Sequence, residues 1–100
     1  MARTVRKIIG LMSGTSADGV DAALLEVCGD GVDTRVQLLA FVFTAYPAEL
    51  RWEILDLCEA DRGRVDRICR MHAVLGEWFA RAALEVCREA GVPISEVDLI

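Results

Sequence analysis

Between two apolar stretches lies Gly14-Thr15-Ser16-Ala17-Asp18-Gly19-Val20-Asp21, the segment whose residue types and spacing could do chemistry. Glycines let a backbone turn until successive N–H groups converge on one point, and the hydroxyls of Thr15 and Ser16 add donors. Such a concavity suits phosphate oxygens. The segment holds no Lys or Arg, so the G-x-x-x-x-G-K-[ST] pattern of a P-loop is absent. It carries Asp18 and Asp21 instead. Carboxylates beside a polyphosphate repel it unless a divalent cation intervenes, and Mg²⁺ takes carboxylate and phosphate oxygens while keeping part of its water shell. The chemistry would then be that of nucleotide phosphates with Mg²⁺. The same residues also suit a mobile hairpin loop in which Asp and Ser form Asx-type turns, and spacing alone favours that plainer reading.

The elements that must position this segment can be read from the hydrophobic pattern. Val5 to Leu11 and Val20 to Val27 read as strands on either side of it. Gly29-Asp30-Gly31 is the next turn and Thr34 to Phe43 a third strand, so the first part of the chain reads as a three-stranded antiparallel meander. Tyr46-Pro47 stops the sheet. Ala48 to Glu59 has helical spacing through Leu50, Ile54, Leu57 and Cys58, and Pro47 suits its first turn. After the polar break Asp61-Arg62-Gly63-Arg64, a long helix from Val65 to Ala90 places Ile68, Met71, Leu75, Trp78, Phe79, Ala82, Val86 and Ala90 on one stripe. Gly91 and Pro93 close it. Val97 to Ile100 reads as the opening of another strand.

Both faces of the second and third strands are apolar. Ala22 and Leu24 oppose Ala23, Leu25 and Val27, and Leu38, Ala40 and Val42 oppose Leu39, Phe41 and Phe43. A sheet of this kind needs cover on both sides, whereas one long and one short helix cover about one. The expectation is therefore that residues 1–100 are the N-terminal piece of a longer protein. With 54% hydrophobic and 27% charged residues, the chain has the make-up of a folded domain and not of a disordered tail. A formal charge of −5 with scattered basic residues argues against a nucleic-acid groove or an anionic membrane surface. Arg3, Arg6 and Lys7 precede an apolar stretch too short for a signal peptide, and no run approaches a membrane span. Cys28, Cys58, Cys69 and Cys87 lack metal-ligand spacing and read as free thiols packed as small hydrophobes in a reducing cytosol.

The wider string Gly10-Leu11-Met12-Ser13-Gly14-Thr15-Ser16-Ala17-Asp18-Gly19-Val20-Asp21 closely resembles the opening signature G-[LM]-M-S-G-T-S-x-D-G-x-D of the anhydro-N-acetylmuramic acid kinases, unbroken over these positions. Leu75-Gly76-Glu77-Trp78-Phe79-Ala80 is similar to that family's L-G-x-x-F-A stretch. The resemblance implies an α/β fold, specifically the N-terminal portion of the first actin-like (ribonuclease H-like) ATPase domain of a two-domain kinase. It implies an ATP- and Mg²⁺-dependent enzyme of the bacterial cytoplasm. That enzyme opens 1,6-anhydro-N-acetylmuramic acid with water and phosphorylates it at O6 during peptidoglycan recycling. It further implies an ATP phosphate loop at Gly14, Thr15, Ser16, Ala17, Asp18, Gly19, Val20 and Asp21, with Asp18 on the Mg²⁺ side through water. Thr15 and Ser16 would donate to the terminal phosphates. The general base, adenosine pocket, most of the sugar site and a G-x-H-G-Q-T motif would follow Ile100, leaving no catalytic residue within 1–100 and the isolated segment inactive. A homodimer is also suggested. The alternatives are another actin-like sugar or acetate-type kinase, or a catalytically silent interaction module.

Other residues have blander readings. His72, on the margin of the stripe, reads as a partly buried helix histidine. Gly76 in mid-helix points to a close approach by another element or subunit. Trp78 and Phe79 read as core. Trp52 sits on a short helix whose outward face suits burial against another subunit or against a further domain, its spacing deciding neither, and the Asp/Arg run from Glu59 to Arg67 reads as a solvated helix junction.

Overall fold

The computed structural model describes residues 4–100. Three strands, β1 (Val5–Met12), β2 (Gly19–Cys28) and β3 (Arg35–Ala45), form an antiparallel sheet in the order β1-β2-β3. This is the expected meander, with a short 3₁₀ turn at Gly31–Asp33 in the second connection. Two helices follow, α1 (Ala48–Leu57) and α2 (Val65–Ala90), each within two residues of the boundaries read from periodicity. A second 3₁₀ turn, Ile94–Glu96, leads to the end of the chain. There the expected strand opening contributes one parallel bridge, Ile8 with Leu99, on the free edge of β1. The Asp98 N–H donates to the Lys7 carbonyl at 2.8 Å and the Ile9 N–H to the Leu99 carbonyl at 2.9 Å. A parallel neighbour requires a crossover connection, and the two helices provide it.

The core lies between one face of the sheet and α2. Ile9, Val20, Leu24 and Val86 are fully enclosed, and burying an aliphatic side chain of this size contributes about 1.5–3 kcal/mol. Ala82, Ala83 and Cys87 are buried on the face of α2 that meets them, with Leu75, Trp78 and Phe79 packed partly against the same cluster. The core role expected of Trp78 and Phe79 agrees with this. The small alanines let the 26-residue helix approach the strands closely. Asp66 in its first turn and Arg88 in its last complement the helix dipole. Gly91 closes it at φ 68°, with the Val92 N–H donating to the Cys87 carbonyl and the Gly91 N–H to the Arg88 carbonyl, a Schellman ending.

The strand faces divide less simply than strict alternation predicts. A bulge in β3 shifts the register between Leu24 paired with Ala40 and Leu25 paired with Leu38. The extra residue puts Leu39 on the covered side with Ala40 and Val42, and sends Leu38 to the open side with Phe41 and Phe43. That open side is apolar and uncovered: Leu38, Phe41 and Phe43 are 57%, 55% and 47% exposed. The molecule is a slab of 57 × 27 × 21 Å with a radius of gyration of 16.5 Å. A compact domain of this length measures about 13 Å.

Four readings of single residues change. His72 is exposed instead of partly buried. Among the described residues nothing beyond its own helix turn comes within 4 Å of a Cβ placed on Gly76, so no other element of the chain explains that glycine by close approach. Of the cysteines only Cys87 is buried, its thiol pushed up by desolvation, whereas Cys58 and Cys69 are exposed. The junction between the helices is an ion-pair cluster and not merely solvated. Arg62 and Arg67 both donate to Asp56, at 2.6 and 3.1 Å, and the Arg67 guanidinium also reaches the Arg62 carbonyl.

Candidate functional site

β1 ends at Met12 and β2 begins at Gly19, so Ser13 to Asp18 form the connecting loop at one end of the sheet. The Ala17 N–H donates to the Gly14 carbonyl at 3.0 Å, closing a turn through Thr15 and Ser16. Ala17 takes φ 51°, a left-handed conformation that costs a non-glycine residue on the order of 1 kcal/mol, and its methyl is buried. The Ser16 hydroxyl donates to Asp18 Oδ1 at 3.1 Å. This local bond orients the carboxylate relative to the turn.

Of the residues singled out from the sequence, Gly14, Thr15, Ser16 and Asp18 are exposed and stand together on the loop. Ala17 closes the turn, and Gly19, Val20 and Asp21 serve the sheet. Val20 is fully buried in the core. Gly19 is buried where β3 passes so closely that a Cβ would run into the Thr44 carbonyl oxygen and lie 2.6 Å from the Phe43 ring. Asp21 lies half-buried within β2, opposite Met12 on one side and Phe43 on the other. The groups exposed to a ligand are therefore the Thr15 hydroxyl, the backbone around Gly14 and the hydrogen-bonded Ser16–Asp18 pair.

Two residues that the motif does not contain hold the loop. The Tyr46 N–H donates to the Asp18 carbonyl at 2.9 Å, and the Tyr46 hydroxyl donates to Ser13 Oγ at 3.0 Å. Tyr46 is buried, with its ring edge-on to Trp78 at 5.9 Å, and the Arg81 guanidinium lies 4.8 Å over Trp78. Arg51, in the first turns of α1, donates from Nε to the Ser16 carbonyl at 3.1 Å. The chain thus brings the β3–α1 corner back against the β1–β2 loop. The one sequence signal pointing to it was the sheet-stopping Tyr46-Pro47 pair.

Among the described residues no group of three His, Cys, Asp or Glu side chains gathers as a metal cage. Mg²⁺ does not require one, since it is commonly held by one or two carboxylates together with phosphate oxygens and water. The exposed, oxygen-only donor set around Asp18 fits that mode. A cleft of about 430 Å³ lined by Thr4, Arg6, Val27, Gly29, Asp30 and Asp33 lies at the opposite end of the sheet. At about 3.3 Å per residue along β2, that is roughly 30 Å from the loop. Its polar side chains are Thr4, Arg6, Asp30 and Asp33, without the tight turn and paired hydroxyls of the loop, which remains the stronger candidate. No helix among the described residues is long and apolar enough to cross a membrane.

Residues 6–100 match the family model described as anhydro-N-acetylmuramic acid kinase. Curated proteins of that name are similar over nearly the whole chain. The protein from Caldanaerobacter subterraneus subsp. tengcongensis is 47% identical over 95 residues, covering 95% of this chain and 24% of the relative. One from Bacillus cereus is 40% identical over 93 residues, covering 93% and 24%. One from Bacillus thuringiensis is 38% identical over 96 residues, covering 96% and 25%. The chain thus spans about a quarter of the length of the curated relatives it matches.

Proposed function

Because the chain belongs to the anhydro-N-acetylmuramic acid kinase family, we propose that it supplies the ATP phosphate loop of a cytoplasmic kinase in peptidoglycan recycling. At the length of its relatives, that kinase would open 1,6-anhydro-N-acetylmuramic acid and phosphorylate it. Water adds at C1, the C1–O6 bond breaks, and O6 takes the γ-phosphoryl group of ATP, leaving ADP. The observation that carries this reading is the unbroken signature from Gly10 to Asp21, with Gly14, Thr15, Ser16 and Asp18 on its exposed turn. Residues 1–100 would be the N-terminal portion of an actin-like ATPase domain, a reading the uncovered sheet face supports.

The geometry of the turn supports the following roles. The Thr15 hydroxyl and the turn's backbone N–H groups would donate to phosphate oxygens, and the Ser16 hydroxyl would join them by turning its single proton from Asp18 to the ligand. Asp18, oriented by Ser16, would hold Mg²⁺ through coordinated water. Bound Mg²⁺ neutralises charge on the transferring phosphoryl group, and in this chemistry positioning and charge neutralisation supply most of the rate. The general base, the adenosine pocket and most of the sugar site would lie in the part of the family-length kinase that this chain does not span.

The test is Asp18→Asn in the family-length protein. Phosphorylation of the anhydro-sugar should fall by about two orders of magnitude or more, the loss typical of one electrostatic catalytic group, with an unchanged circular dichroism spectrum. Near-normal turnover would remove Asp18 from the mechanism.

A further inference from the structure

The proposed phosphate loop has one electrostatic gap. Its charged side chains, Asp18 and Asp21, are both acidic, and a nucleotide polyphosphate brings several more negative charges. The structure sets one cation directly against the loop. Arg51 reaches across from α1 and donates from Nε to the Ser16 carbonyl at 3.1 Å, and both residues are exposed.

What distinguishes Arg51 is the state of its charge. Every other arginine of the two helices and the turn between them pairs with a carboxylate, except Arg81, which stacks on an aromatic ring away from the loop. Arg62 and Arg67 bind Asp56, Arg64 binds Asp66, Arg70 binds Glu53, Arg88 binds Glu85, and Arg81 lies over Trp78. Among the described residues Arg51 pairs with no carboxylate. Its single bond is to a neutral carbonyl, which uses one of five N–H donors and leaves the positive charge uncompensated. A planar guanidinium with free N–H groups is suited to the oxygens of a phosphate. The position is also fixed. The Arg51 N–H donates to the Pro47 carbonyl, and the adjacent Tyr46 is tied to Ser13 and Asp18 at both ends of the loop.

We propose that Arg51 is a phosphate ligand of this site, a cation supplied from α1 to a loop whose own sequence has none. The inference rests on the reading of the loop as the ATP phosphate site, so the experiment separates the two. In the family-length protein, Arg51→Gln and Arg51→Met remove the charge, and Arg51→Lys keeps it. The neutral variants should raise the KM for ATP by about tenfold or more, the scale of one lost charged hydrogen bond, with the KM for the sugar and the melting temperature unchanged. Arg51→Lys should recover most of the ATP affinity. A KM for ATP within twofold of the parent in both neutral variants overturns the proposal. So does an Arg51→Lys protein as impaired as the neutral ones, because the role would then be shape and not charge. With Asp18→Asn measured alongside, an inactive Asp18 variant beside unaffected Arg51 variants rejects Arg51 alone. Full activity in all of them rejects the phosphate-loop reading itself.

Discussion

A methyl group at Gly19 would collide with the Thr44 carbonyl and the Phe43 ring, so packing of β2 against β3 requires glycine there whatever the loop binds. Gly14 differs, because among the described residues a Cβ there meets nothing within 4 Å. Gly19→Ala should therefore lower stability by about 2–3 kcal/mol, read as a fall in the urea midpoint, while Gly14→Ala leaves the midpoint nearly unchanged. Equal midpoints for the two variants would show that the strands can separate to admit the methyl. The signature thus mixes two kinds of residue. Gly19 and Val20 build the sheet, and Thr15, Ser16 and Asp18 face outward. The string of residue types does not separate them. The separation comes from where β3 and α2 pass. Tyr46 and Arg51 were illegible as site residues for a related reason: their loop partners lie 33 and 35 positions away in the chain.

At the scale of elements, periodicity located every strand and helix, because each buries one face against the same core. It misplaced the Leu38–Leu39 pair, since a single bulged residue inverts alternation without leaving a mark in composition. It also understated the α1–α2 junction. Asp56 there is held below its ordinary value of 3.8, first by the hydrogen bond from Arg62, then by Arg67, against the opposing effect of desolvation. A carboxyl depressed in the folded state adds stability that is complete above its unfolded value and is lost as pH falls through the folded value. Acid titration should therefore loosen the junction only below about pH 3.8, and Asp56→Asn should lower the melting temperature at neutral pH while flattening the acid limb. A variant with the parent's melting temperature and acid limb would mean that the cluster contributes nothing.

Across the whole molecule the dominant feature is asymmetry between the two sides of one sheet. α2 seals the side bearing Ile9, Val20 and Leu24, and the other side leaves Leu38 and Phe41 more than half exposed. Apolar area of that kind is costly to leave in water and marks surface meant to be covered. The 100-residue chain should bind an apolar fluorescent dye on this face. Leu38→Ser with Phe41→Ser should reduce the signal without lowering the urea midpoint. A large drop in the midpoint with undiminished dye binding would place those side chains in the core instead.

By itself the sequence determined the order and type of the elements, the family and the residues of the loop. These depend on local periodicity, turn-forming residues and a contiguous string. Only the tertiary structure decided which of the loop residues face outward, that a tyrosine and an unpaired arginine from a distant corner hold them, and that one apolar face stays open. Those properties arise from contacts between segments far apart in the chain. No local pattern encodes where a guanidinium more than thirty residues away will find a carbonyl, or which of two apolar faces a single long helix will cover.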